Sequence, residues 1–120
     1  MAYVSLDSDQ IKKAHKKHKY TKEQVEQLEK CMDEKTGPLY FMKSFMKIQH
    51  PTKGEMEFNP FPYQERLVEA YNNHRFSISM LPRQTGKTTC ASGYLIWYAM
   101  FKPDSQILIA AHKYAGASDI

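Results

Sequence analysis

The chain has 120 residues, of which 42% are hydrophobic and 25% charged, and a net charge of +4 at neutral pH. This composition is that of a globular protein, and the length fits one small domain or part of a larger one. Two cysteines, Cys31 and Cys90, form no metal-binding or disulfide pattern and suit a reducing compartment. We expect neither a secretory signal in the polar first ten residues nor a membrane span, since the apolar run at 94–101 is short.

Residues 1–20 are rich in lysine and histidine and predict a basic, mobile arm or a solvated helix. Contact between this arm and nucleic acid is the alternative, because the positive balance is compatible with a polyanionic partner. His15 and His18 have a spacing that suits a metal, but the neighbouring lysines repel a divalent cation. We therefore predict no metal site in the arm.

Residues 21–58 predict a helical and hairpin segment. Thr21 and Gln24 form a capping-box pattern, which predicts a short amphipathic helix ending near Asp33. The Gly37-Pro38 pair breaks that helix, and the apolar residues 39–46 predict a second one. Its expected packing anchors are three aromatic residues, Tyr40, Phe41 and Phe45.

A hairpin is predicted next, with strands at 47–50 and 55–58 joined by a turn at 51–54. The loop 59–62 follows, and Pro62 suits the first position of a helix over residues 63–72. The core side of that helix carries Leu67, Val68 and Tyr71.

Residues 59–120 predict the start of a nucleotide-binding α/β domain. The apolar alternation at 76–81 predicts a strand, residues 89–101 predict a helix, and residues 106–111 predict a buried second strand. Between the first strand and the helix lies the sequence Pro82-Arg83-Gln84-Thr85-Gly86-Lys87-Thr88-Thr89. A sheet of two parallel strands cannot bury both faces, so we expect an incomplete domain that continues beyond the last residue.

The chemistry of this loop is that of a triphosphate site. Gly86 lets the backbone approach phosphates, and the unpaired N–H groups at the helix start favour an anion. Lys87 supplies an ammonium for the β- and γ-phosphates, and Thr88 supplies a hydroxyl for Mg²⁺. The pattern is not complete, because Leu81 occupies the position of the usual first glycine.

The chain resembles the amino-terminal part of the large terminase subunit of tailed bacteriophages, the contractile-tail type especially. The loop at 82–89, with its arginine and no first glycine, resembles the family's phosphate loop. Tyr63-Gln64 resembles its adenine-reading motif, and residues 107–113 resemble the strand and basic turn that follow. Residues 38–41 and the hairpin that ends in Phe58 are similar to the segment before its ATPase domain. The resemblance covers roughly residues 20 to 120.

The resemblance implies a helicase-like P-loop ATPase that begins with a parallel βαβ unit and is joined to a nuclease domain. Its function would be to package duplex DNA into a prohead, with ATP and Mg²⁺ as cofactors. The implied partners are double-stranded DNA, a portal protein, a small terminase subunit and further copies in a ring, in the cytoplasm of an infected bacterium. Lys87 and Arg83 would act on the triphosphate, and Gln64 on the adenine. The nucleotide-binding set would be Gln64, Gln84, Thr85, Gly86, Lys87, Thr88 and Thr89, with Thr88 as the Mg²⁺ ligand.

Several roles remain open from the residues alone. Arg83 suits phosphate oxygens, as an arginine finger within the loop, or forms a structural ion pair. Gln64 offers the donor and acceptor that an adenine edge requires, or is a solvated first-turn side chain. Tyr63 stacks on the base or packs in the core. Trp97, with Tyr94 and Tyr98, is expected in the core rather than on a stacking surface.

The sequence lacks an apolar strand that ends in paired acidic residues and lacks an aspartate-rich nuclease cluster. We therefore expect that these residues alone hydrolyse no ATP. Two alternatives to the terminase assignment remain. One is another P-loop translocase or helicase, whose loop normally keeps the first glycine. The other is a non-catalytic interaction module, which the intact Gly86-Lys87-Thr88 disfavours.

Overall fold

The computed structural model describes residues 19–120, so apart from Lys19 and Tyr20 the predicted basic arm lies outside the described residues. In chain order the elements are α1 (Lys22–Met32), α2 (Gly37–Phe45), β1 (Lys47–His50), β2 (Gly54–Glu57), α3 (Pro62–Asn73), α4 (Lys87–Phe101) and α5 (Tyr114–Ser118). None of the helices within residues 19–120 combines the length and apolarity that crossing a bilayer requires.

Helix α1 begins as its sequence predicts. The Thr21 side chain accepts a hydrogen bond from the Gln24 N–H, and the Gln24 side chain accepts one from the Thr21 N–H, which confirms the capping box. The helix ends at Met32, and the carboxylate of the next residue, Asp33, accepts hydrogen bonds from the N–H groups of Lys35 and Thr36, both at 2.8 Å. These bonds lower the pKa of the Asp33 carboxyl, because they favour its charged form. The turn leads directly into α2.

Helix α2 starts two residues earlier than predicted, with Pro38 in its first turn, where a missing N–H is tolerated. The predicted anchors were partly wrong. Phe45 remains 48% exposed and Tyr40 and Phe41 are half-buried, whereas Met42 is fully buried. The flexible, unbranched methionine fits the space between helices better than the aromatic ring at the end of the helix.

The hairpin is confirmed to within one residue. Strands β1 and β2 pair antiparallel, with Ile48 opposite Met56 and His50 opposite Gly54. The His50 Nδ1 atom accepts hydrogen bonds from the N–H groups of Thr52 and Lys53, each at 3.2 Å, and closes the turn. Gly54 has a φ of +73° there, in the left-handed region that glycine enters without strain.

The core lies between α2, α3, α4 and the end of the hairpin. Its buried members come from each of these elements: Met42, Phe58, Leu67, Val68 and Cys90. Leu67 and Val68 confirm the predicted inner side of α3, while Tyr71 is half-buried beside them. Because α4 packs on both α2 and α3, this core fixes where the start of α4 lies.

Trp97 ties α4 to the end of α1. The ring is almost fully buried, and its Nε1–H donates a 2.7 Å hydrogen bond to the Cys31 backbone carbonyl. Tyr94 and Tyr98 lie against each other, with 6.1 Å between ring centroids, and Tyr94 also lies beside Trp97. The expectation that these aromatic residues pack in the core is therefore confirmed for Trp97, with Tyr94 and Tyr98 half-buried around it.

The two strands predicted around α4 are not formed. Among the described residues the sheet consists of β1 and β2, and the segments 76–81 and 106–111 have no strand pairing. In the first segment, Ile78 is 98% exposed. In the second, Leu108 is 92% exposed, so the predicted burial of 106–111 was also wrong. An apolar alternation favours a strand only where a neighbour satisfies the backbone N–H and C=O groups, and the described residues supply none there. The expected parallel βαβ unit is thus not present as a hydrogen-bonded sheet.

Candidate functional site

The predicted phosphate loop lies directly before α4. The residue before the helix, Gly86, has a φ of +75°, in the left-handed region. Its carbonyl accepts the first helical hydrogen bond, from the Cys90 N–H at 2.9 Å. The N–H groups of the first helical turn have no partner within the helix, and the aligned peptide dipoles add positive potential there. The geometry at Gly86 therefore suits an anion at the start of α4.

A second left-handed residue lies two positions earlier in the loop. Gln84 has a φ of +59°, which is uncommon for a residue with a side chain. A left-handed residue next to a right-handed one, as Gly86 is next to the helical Lys87, turns successive N–H groups toward one side and favours an anion there. The Thr85 hydroxyl donates to the Pro82 carbonyl at 3.0 Å and closes the loop. Nothing in the sequence indicated the conformation of Gln84, because the residue is not glycine.

The two loop cations are accessible. Arg83 and Lys87 are both exposed, and none of the ion pairs formed within residues 19–120 involves either of them. The structural ion pair considered for Arg83 is thus not found in the described part of the chain. The Lys87 ammonium donates to the Leu81 carbonyl at 3.4 Å, across the loop. Both cations can therefore reach a polyanion at the loop without breaking a salt bridge.

Tyr63 and Gln64 contact the loop from the first turn of α3. The Tyr63 hydroxyl donates to the Thr85 carbonyl at 2.8 Å, and the Gln64 amide donates to the same oxygen at 3.1 Å. Gln64 is only 6% exposed, so it is not the solvated first-turn side chain that was the alternative. The family resemblance predicted both residues near a nucleotide, but the sequence did not reveal the shared carbonyl, because the contact spans more than twenty residues of chain.

Thr88 and Thr89 follow in the first turn of α4, Thr88 exposed and Thr89 half-buried. Lys87 and Thr88 also line a cavity of about 270 Å³ whose other walls are largely apolar, including Leu95 and Ile109. Within residues 19–120 no group of three or more His, Cys, Asp or Glu side chains is placed to hold a metal ion. Mg²⁺ bound at Thr88 would therefore need phosphate oxygens and water for most of its ligands.

The ionisable groups behind the loop serve packing. Burial raises the pKa of the Cys90 thiol and of the Tyr71 and Tyr94 hydroxyls, because the charged forms lose solvation. A hydrogen bond with the Ser79 side chain partly opposes the shift of Tyr71. All three stay neutral near pH 7, so they contribute no charge to the site. The predicted basic turn, His112-Lys113, is exposed ahead of α5.

Comparison with known proteins gives no family for the chain. No family model matches it, and no solved structure is significantly similar to it.

Proposed function

We propose that the chain is the amino-terminal part of the ATPase motor of a phage large terminase, which binds Mg·ATP at the loop before α4. The observation that carries the proposal is the backbone of that loop. Left-handed residues at Gln84 and Gly86 precede the free N–H groups of a helix start, and two exposed cations flank them. A polyphosphate is the ligand that this combination of donors and charges favours.

Each loop residue has a role in the proposed site. The N–H groups at the start of α4 bind phosphate oxygens, and the Lys87 ammonium leaves the Leu81 carbonyl for the β- and γ-phosphates. Arg83 neutralises charge that develops on the transferred phosphoryl group, and its planar guanidinium matches the geometry of phosphate oxygens. Gln84, Thr85 and Thr89 complete the backbone of the loop. Bound Mg²⁺ would lie at the Thr88 hydroxyl and offset phosphate charge.

The adenine lies, in this proposal, next to Gln64. The Gln64 side chain has two N–H donors and an oxygen with two lone pairs. One donor binds the Thr85 carbonyl, and the oxygen accepts from the Phe61 N–H at 2.9 Å. One donor and one lone pair remain, which is the pair that an adenine edge takes.

For the full-length protein, the proposed assignment as a terminase also includes a helicase-like P-loop fold, a carboxyl-terminal nuclease domain and function in the infected bacterial cell. Duplex DNA, a portal protein, a small terminase subunit and a ring of identical subunits are its proposed partners. Support for the assignment comes from the sequence resemblance together with the geometry of the phosphate loop. Another P-loop translocase would bind ATP through a similar loop, which normally keeps the first glycine that Leu81 replaces here, and a terminase also differs from it by nuclease activity.

The proposal is tested in a terminase polypeptide that carries this chain, with purified portal-bearing heads and linear duplex DNA. We expect Lys87→Ala to reduce packaging-coupled ATP hydrolysis by about a hundredfold or more, since phosphoryl transfer depends on charge compensation at the β- and γ-phosphates. Lys53→Ala is the control and should keep full activity, because Lys53 is exposed in the hairpin turn and takes part in none of the ion pairs among residues 19–120. Wild-type hydrolysis in Lys87→Ala would contradict the proposal.

The 120-residue chain by itself should show no ATP turnover, since it lacks the acidic pair that activates water. Turnover by the purified chain that Lys87→Ala abolishes would contradict this part of the account.

A further inference from the structure

The carbonyl of Thr85 connects the phosphate loop to α3. It accepts two hydrogen bonds, one from the Tyr63 hydroxyl at 2.8 Å and one from the Gln64 amide at 3.1 Å. A backbone carbonyl has two lone pairs, so its bonding capacity is filled. Both donors come from adjacent residues in the first turn of α3, and together they are called here the positioning pair (Tyr63 and Gln64).

The positioning pair is itself held in place. The Gln64 oxygen accepts the Phe61 N–H at 2.9 Å, and this partner fixes which way the amide points. The side chain is almost fully buried, so it has little freedom to turn away. The Tyr63 ring stacks on the Phe61 ring, with 5.9 Å between centroids and 7° between planes. Both donors thus approach the Thr85 carbonyl from a fixed direction.

The direction of the Thr85 carbonyl determines the direction of the next N–H. A peptide unit is planar and trans, so its C=O and N–H groups point to opposite sides. Because the Thr85 carbonyl points at α3, the Gly86 N–H points away from α3. Gly86 is the residue from which α4 begins, so this N–H belongs to the donors that face an anion at the helix start.

We propose that Tyr63 is a positioning residue for polyphosphate binding: its hydroxyl, with the Gln64 amide, orients the Thr85–Gly86 peptide so that the loop donors face the phosphates. The inference rests on the proposed function and assigns Tyr63 a role independent of the base. Stacking on adenine makes a different prediction, because its contribution depends on the base and on the ring rather than on the hydroxyl.

The experiment compares three Mg²⁺-saturated ligands, ATP, GTP and inorganic tripolyphosphate, by isothermal titration of the purified chain. Tyr63→Phe keeps the ring and removes only the hydroxyl. We expect this variant to bind all three ligands more weakly, by a similar factor of about three to ten in dissociation constant, which is the usual effect of one hydrogen bond. Tyr40→Phe, which removes a hydroxyl from α2, is the matched control and should bind like the wild type. Thermal unfolding by circular dichroism shows that each variant is folded at the titration temperature.

Gln64→Leu separates the two roles of the glutamine. This variant should weaken the binding of tripolyphosphate about as much as Tyr63→Phe does. Any larger loss of affinity for ATP measures the contribution of the Gln64 contact with adenine. The inference is overturned if folded Tyr63→Phe binds tripolyphosphate like the wild type, or if its loss is confined to ATP. If the folded wild-type chain binds none of the three ligands, the proposed function itself fails, and this outcome is distinct from the other two.

Discussion

At the scale of single residues, Gly86 connects backbone conformation to the contact with α3. Its φ of +75° is one that residues with a Cβ rarely adopt. A Cβ built at this position would also lie 2.6 Å from the Gln64 Nε2 atom. The Gln64 amide cannot move aside freely, since it is buried and hydrogen-bonded at both ends. The glycine is therefore needed for two independent physical reasons.

Gly86→Ala should destabilise the chain more than Gly54→Ala does. Gly54 has nearly the same φ, +73°, but an added Cβ there meets no atom within 4 Å. The left-handed strain alone predicts a loss of about 1 kcal/mol for Gly54→Ala. Displacing the Gln64 amide adds about 1–3 kcal/mol for Gly86→Ala, because a buried polar group loses its partner. Urea unfolding of both variants measures the difference, and equal losses would show that the Gln64 contact contributes nothing.

At the scale of elements, α4 is held by the helices packed on either side of it. Met42 of α2 is fully buried and joins Leu67, Val68 and Cys90 in the core cluster. At the other end of α4, Trp97 binds the Cys31 carbonyl. These contacts fix the axis of α4, and the phosphate loop is attached to its first residue. Core packing and the geometry of the candidate site are therefore linked.

Met42→Ala should cost about 2–5 kcal/mol of unfolding free energy, the usual range when a large buried side chain is truncated and leaves a cavity. Met32→Ala is the matched control, because Met32 is 62% exposed at the end of α1 and should change stability by less than about 0.5 kcal/mol. Chemical denaturation of the two variants tests this. A loss below about 1 kcal/mol for Met42→Ala would contradict the core assignment.

At the scale of the whole molecule, local signals in the sequence predicted local structure well. The capping box at Thr21, the hairpin and the start of α3 at Pro62 each depend on neighbouring residues, and each is confirmed. The loop before α4 was placed for the same reason, although the helix begins at Lys87, two residues before the predicted start at residue 89.

Features that depend on distant partners were predicted less well. The segments 76–81 and 106–111 have strand patterns, but a strand also needs a neighbour, which no local pattern supplies. Met42 rather than Phe45 fills the core, because the shape of the space between helices is set by three elements together. The contact of Tyr63 with Thr85 likewise joins two elements. The sequence identified the candidate site residues, and the structure added the connection between α3 and the loop.

The central claim is that the loop before α4, with Lys87 and Arg83, binds a nucleotide through its phosphates. The most direct measurement is an isothermal titration of Mg·ATP into the folded chain and its Lys87→Ala variant. We predict saturable binding at one site by the wild type, with a dissociation constant of about 1 mM or lower, which is the upper end of typical enzyme KM values. Lys87→Ala should bind about tenfold or more weakly, because a charge-assisted hydrogen bond is lost. A folded wild-type chain that takes up no Mg·ATP, or a variant with unchanged affinity, would contradict the claim.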